Sequence, residues 1–315
     1  MQLSDVFTSV PLTNVSLAYK PEGYISEKIA PLVQVKKDAG KIYSYGMDNL
    51  RIVPTIRSIW GKPQIVSTEV SSTDHYSLED HVLGEFLAEE IVDNAENPLR
   101  PRTDTTEALT DRLWLDKEKA LATTLTDTSV ITQYTTLTGT DQWSDYTNSD
   151  PIDDINTGID AVRSGSGKVP NIMVLAWDTS RKLMYHPAIK DMYPGAPKIT
   201  HAMLLDGLAA MFGFDEVLVG KAQYNNSNKG WTDTLADIWT KVALMMYVEK
   251  RPTLKSRTLV NTYHTKAPRR AQMLTQGSGS LELIQRKSDY IQVSDKYDQV
   301  IVDATCAYLI DWAIS

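Results

Sequence analysis

Along the first 35 residues the apolar positions keep no steady period. Pro11, Pro21 and Pro31 recur with Gly23 among Val15, Leu17, Tyr24, Ile25 and Ile29, which reads as an extended arm that orders only against another surface. Val66, Thr68 and Val70 then alternate with Ser67, Glu69 and Ser71, predicting a half-buried strand over 64–72. Together with Val35 to Tyr45 and the turn residues between, this makes residues 36–73 a long two-stranded hairpin projecting into solvent. Such a hairpin is marginal alone and needs a partner surface. Ser77-Leu-Glu-Asp80 has the form of a helix start. Leu78, Val82, Phe86 and Ile91, flanked by Leu83 and Leu87, fall near the helical period through Ala95, with Pro98 and Pro101 as the stop. A second helix is predicted from Thr103 or Asp104, its apolar stripe being Leu109, Leu113, Leu121 and Leu125, with Glu107, Asp111 and Asp116 elsewhere on it.

Residues 126–149, rich in Thr, Asp and Tyr, read as a turn or short strands. From Ile152 helices and short strands alternate. Helices are predicted over 154–164, 179–186 and 200–212, and strands over 171–176, 216–220 and 241–248, with Asn225 to Gly230 as a turn. This is an α/β unit of ordinary domain size. Tyr290 to Val293 and Val300 to Ile314 close the chain as strands.

Composition narrows the class. The chain has 315 residues, 42% hydrophobic and 23% charged, a globular profile. No apolar run approaches membrane-spanning length, and no secretory signal is present. The lone Cys306 excludes an internal disulfide and a Cys-based zinc site. The formal charge of −8 argues against a surface that coats nucleic acid. That charge is segregated, however. Glu69 to Glu118 holds 14 acidic and 4 basic residues, a net of −10. Lys250 to Lys287 holds 9 basic residues against Glu282, a net of +8, and Lys36 to Lys62 holds 6 against Asp38 and Asp48, a net of +4. The blocks are either solvated faces or surfaces that pair between copies.

Catalytic motifs fail. Ser164-Gly-Ser-Gly-Lys168 lacks both fixed points of a phosphate loop, since Val162 and Val169 stand where Gly and a hydroxyl are needed. His75 and His81 are six apart, the wrong spacing for two ligands on one helix face. His186, His201 and His264 have no ligand pattern, and no G-x-S-x-G, C-x-x-C or G-x-G-x-x-G occurs. No metal, cofactor or catalytic residue is assigned. Lys255, Arg257, Lys266, Arg269 and Arg270, with Tyr263 among them, form a basic segment suited to phosphate or to a protein salt-bridge surface. Fifteen tyrosines against four phenylalanines suit contact surface, because Tyr carries apolar area with a polar tip.

The order of parts, together with Pro21 to Val33, Asp38-Ala-Gly-Lys-Ile-Tyr43, Ser77 to Phe86 with Asp93 to Pro98, Leu175-Ala-Trp-Asp-Thr-Ser180 and Val302 to Leu309, resembles the major capsid proteins of tailed bacteriophages, the Hong Kong 97-type fold family, over nearly the whole chain. The resemblance implies an α+β fold. Residues 1–35 would be the N-terminal arm, 36–73 the extended loop, 74–149 a peripheral domain with a long spine helix, 150–280 an α/β axial domain, and 281–315 closing strands returning to both domains.

It also implies hexamers and pentamers closing an icosahedral shell around double-stranded DNA, with no enzyme activity and no membrane. The partners would be other copies, a separate scaffolding protein, a portal, a decoration protein, and weakly held DNA, with assembly in the bacterial cytoplasm. Intersubunit contact is expected from Lys36, Lys37, Lys41, Arg57 and Lys62 on the loop, and from Glu79, Glu85, Glu89, Glu90 and Asp111 on the acidic side. The basic segment would meet either a neighbour's axial domain or DNA. Lys41 and Lys62 lie in the loop that crosslinks in the founding member of the family, but no partner Asn or catalytic Glu is identified, so the crosslink is not carried over. A nanocompartment shell, a tail or portal-region protein and an α/β enzyme are the rival readings.

Overall fold

The structure, a computed structural model, describes residues 7–19, 21, 23–45, 49, 51–53, 55–57, 59–67, 70–71, 74–193, 199–275 and 281–315. Two sheets share one long helix. The first sheet is built on two long antiparallel strands, β14 (Val260–Leu274) and β15 (Ser288–Ile301). Their ladder runs from Val260↔Ile301 to His264↔Tyr297, shifts register, and resumes from Arg269↔Asp295 to Leu274↔Tyr290. β7 (Glu79–Ala88) pairs along β15 for its whole length and forms one edge. On the other side of β14 the arm supplies β1 (Phe7–Thr8), antiparallel, and β2 (Leu32–Gln34), parallel. Between these strands lie α1 (Val10–Ala18) and the short α2 (Ser26–Ile29). The arm is therefore part of the sheet.

The second sheet has the order β10-β9-β13-β16-β8, from β8 (Tyr134–Thr136), β9 (Ile172–Ala176), β10 (Glu216–Gly220), β13 (Ala243–Met246) and β16 (Ala307–Asp311). Its central strands are buried on both faces, and successive residues go to different cores. Val174, Leu244 and Leu309 enter one core with Ile29 of the arm. Met173, Met245 and Ile310 enter the other. That second core lies under α5 (Pro151–Ser166), α6 (Trp177–Tyr185) and α8 (His201–Phe212), through Ile155, Val162, Leu183, Leu204 and Leu208. Local signals fix these helices. The Asp150 carboxylate accepts from the Ile152 and Asp153 amides at 3.1 and 3.2 Å, and Thr200 Oγ1 accepts from Met203 N at 3.3 Å. Gly167 and Gly213 close α5 and α8 at φ 69° and 74°. The phosphate-loop lookalike is thus the C-terminal cap of α5.

The spine helix α4 (Pro101–Leu125) is the wall common to both halves. Leu109 and Leu113 pack with Leu12, Leu87, Ile291 and Val293 beneath the first sheet, whereas Leu121 and Leu125 enter the core of the second. Two adjacent charged residues are buried on it. The Glu118 carboxylate accepts from Ile25 N (3.2 Å), Ser26 N (2.7 Å) and Trp239 Nε1 (2.8 Å). Lys117 Nζ sits 4.8 Å from the Tyr297 ring centre and 5.3 Å from that of Trp114, and burial lowers its pKa against the pull of Asp295. Arg269 lies over Trp114 at 5.0 Å, donates to Asp295 at 2.9 Å, and reaches the Ser16 carbonyl at 3.3 Å.

Several elements differ from the sequence reading. Residues 77–95 form β7 followed by a short α3 (Glu89–Asp93), not one helix. Leu78, Val82 and Phe86 are spaced by four, and so are Leu83 and Leu87. Four is an even number, so each set shares a strand face as readily as a helix face, and the ten-residue ladder with β15 decides between them. In the expected strand over 64–72 only Val70 and Ser71 are in a strand; Ile65 and Val66 are exposed coil, and Thr68, Glu69 and Ser72 lie outside the described residues. Residues 260–274 belong to the first sheet, as β14.

The Arg269–Asp295 pair is nine-tenths buried on both sides, so removing one partner strands a charge. Arg269→Met is expected to cost about 3–5 kcal/mol in urea unfolding, with Arg269→Met/Asp295→Leu recovering most of it. Equal stability of the single variant and the parent would contradict this.

Candidate assembly surfaces

Between Lys36 and Ser77 the described residues form a segment with a paired base. β3 (Ala39–Lys41) pairs with β6 (His75–Ser77), and β4 (Ser44–Tyr45) with β5 (Val70–Ser71), both antiparallel. The base is anchored by Ile42 and Tyr76, buried with Val33, Val35, Leu78 and Tyr263. Tyr76 stacks on Tyr263 at 5.0 Å. Beyond the base, Ile52, Ile56, Ile59, Trp60 and Ile65 are each at least 85% exposed. Lys36, Lys37, Lys41, Arg57 and Lys62 are all exposed as well. The loop thus carries cations and bare apolar surface together, a combination that marks an interaction site.

The acidic side chains do not share one helix. Glu79 and Glu85 lie on β7, Glu89 and Glu90 on α3, and all four are exposed. β7 is a sheet edge, and charge on an edge strand deters uncontrolled strand addition. Asp111, on α4, is half-buried and accepts from the Tyr24 hydroxyl at 3.3 Å, so it holds the chain's own arm. The basic segment also divides. Lys255, Lys266 and Arg270 are exposed. Arg257 pairs with Asp303 at 2.5 Å, both largely buried, and Arg269 is interior. Those two therefore serve the fold and do not form an outward basic face, and inward-turned cations of this kind leave no mark in a charge count.

His186 and His201 are held by the fold. His186, buried, caps the four-residue α7 (Pro187–Lys190): its Nδ1 accepts from Ala188 N at 3.2 Å, and its Nε2 faces Ser149 Oγ at 3.1 Å. With Nδ1 accepting, the ring proton sits on Nε2 and donates to Ser149. Desolvation lowers the His186 pKa, and desolvation followed by Lys221 lowers that of His201. Burial raises the Cys306 thiol to about 12, which makes it unreactive. Among the described residues no group of three His, Cys, Asp or Glu could hold a metal ion, and no helix is long and apolar enough to cross a membrane.

No family model matches the chain. It is 29% identical over 251 residues to the major capsid protein of Pseudomonas phage JBD67, covering 78% of this chain and 79% of that one. It is 25% identical over 253 residues to the major capsid protein of Burkholderia phage BcepMu, covering 78% of each. Among solved structures, a phage-related protein from Bordetella bronchiseptica RB50 superposes with a TM-score of 0.74 at 21% identity, over 98% of both chains. The capsid of cyanophage P-SCSP1u superposes with a TM-score of 0.59 at 11% identity, over 93% of this chain and 89% of that one.

The two lowered histidines set an acid limit. Below their ordinary value of about 6.5 the unfolded chain takes up protons that the folded one resists, so stability rises with pH through that window and is lost as pH falls. Thermal unfolding from pH 8 to pH 5 is expected to show a plateau above about pH 7 and a decline below 6.5, reduced in His186→Asn. A decline of equal size in that variant would remove His186 as a cause.

Proposed function

We propose, for a phage major capsid protein of the Hong Kong 97-type fold, that copies of this chain gather into hexamers and pentamers and close an icosahedral shell around double-stranded DNA. The observation that carries the reading is the loop with its paired base. Five apolar side chains at least 85% exposed are a liability in an isolated subunit and a contact surface in an assembly. The loop of one copy lies over the acidic β7–α3 side of its neighbour, where Lys36, Lys37, Lys41, Arg57 and Lys62 meet Glu79, Glu85, Glu89 and Glu90. Each exposed ion pair contributes little, about 0–1 kcal/mol. Repeated at every interface, such pairs set orientation and register, while the apolar contacts supply affinity.

Of the basic segment, Lys255, Lys266 and Arg270 are left to meet a neighbour or packaged DNA, by weak and salt-sensitive contact. A separate scaffolding protein, a portal and a decoration protein complete the assembly in the bacterial cytoplasm, and the chain itself has no catalytic role. Lys36→Glu, Lys37→Glu, Lys41→Glu and Arg57→Glu introduced together reverse exposed positions. They are expected to leave the monomer folded by circular dichroism and to lower shell yield at least tenfold in negative-stain microscopy. Normal shells from this variant would overturn the loop's assigned role.

A further inference from the structure

One end of the second sheet carries a rigid projection and an open cavity with complementary chemistry. The projection is the ladder of β11 (Gln223–Asn225) and β12 (Leu235–Asp237) and the loop between them. That loop is fixed by its own hydrogen bonds. Asn225 Oδ1 accepts from the Ser227 and Thr234 amides at 3.0 and 3.2 Å, Asn225 Nδ2 donates to Asp233 Oδ1 at 2.6 Å, and Trp231 N donates to Asn228 O at 3.0 Å. Gly230, at φ 93°, allows the reversal. Held this way, the Trp231 indole is 78% exposed, two residues from Asp233. An ordered loop presenting a bare indole has already met the conformational cost of binding.

The cavity, about 420 Å³, lies where β9 passes into α6, β13 begins and β16 ends. It is lined by Tyr146, Arg181, Lys182, Tyr185, Lys241 and Ile314, with Asp178 its one acidic side chain. Among the described residues, Arg181, Lys182 and Lys241 form no ion pair. Beside it, Lys241 and Trp312 both hold left-handed backbone at φ 52° and 53°, with Lys241 Nζ 4.8 Å from the indole centre. Strain of this kind persists only where the surroundings enforce it. The projection lies toward the spine, with Lys119 Nζ 3.7 Å from the Tyr224 ring centre. The cavity lies beside α6, on the side of the second core.

We propose that Trp231 and Asp233 of one copy enter this cavity on the next copy, an inference that rests on the self-assembly reading above. The indole face takes the Arg and Lys cations and packs against the two phenol rings. The Asp233 carboxylate adds a second acidic side chain to a cavity where Asp178 alone faces three cations. A projection and a socket formed by different patches of one chain make a head-to-tail contact, the kind that generates rings. Trp, Tyr and Arg are the residues on which such contacts concentrate their energy.

The test uses the full chain. Trp231→Ala is expected to keep the parent's thermal midpoint and to lower multimer yield in sedimentation at least tenfold. A Trp231→Cys/Lys182→Cys chain treated with a short bis-maleimide is expected to give a ladder of covalent oligomers that neither single variant gives, the buried Cys306 staying silent. If Trp231→Ala assembles like the parent and the double variant gives no ladder, this contact is wrong while the shell reading stands. If the parent itself forms no multimers, the shell reading fails first.

Discussion

The fold turns on a buried carboxylate. Glu118 is fully enclosed, and an enclosed charge is tolerable only when donors replace the water it has lost. Its three donors come from two places: two amides at the start of α2 in the arm, and the Trp239 indole in the loop leading to β13. Satisfying one side chain of the spine therefore requires the arm and the second sheet to be in place together. Lys117, the preceding residue, points about 100° away around the helix and serves the first sheet through Tyr297. Consecutive residues thus tie α4 to both halves of the molecule.

In this arrangement the parts share their cores. The arm supplies strands to the first sheet and apolar side chains to the core of the second. Cutting between domains along the sequence does not cut between cores. The outward-facing loop is the exception. Its base is packed by Ile42 and Tyr76, while Ile52, Ile56, Ile59, Trp60 and Ile65 beyond the base are each at least 85% exposed in the single chain.

Elements with local signals were legible in the sequence. The Leu stripe gives the buried face of α4, the glycines ending at Gly167 close α5, and Thr200 and Gly213 bound α8, whereas Pro101, expected as a stop, opens α4, and Asp150 caps α5 ahead of its expected start. β9, an apolar run too short for a helix, was equally plain. β7 was not, because a spacing of four is common to both periods and only its pairing with β15 decides. β14 was hidden by its charges: Arg269 reads as surface until its partner, Asp295, is found 26 residues further along the chain. The acidic and basic patches were legible as composition, but which charges face outward depends on pairing that no local window contains. The projection at Trp231 and its socket drew no attention in the sequence, since the socket is assembled from four separated segments.

The register shift in β14 between His264 and Arg269 has a mechanical meaning. On one side of it the β14–β15 ribbon is tied to the core of the second sheet and the loop base through Val260 and Tyr263; on the other it is tied beneath the spine through Ala271 and Val293. A ladder missing its regular bonds at one place is most compliant there. Load passing between the two halves is therefore taken up as bending at residues 265–268, leaving both cores undistorted.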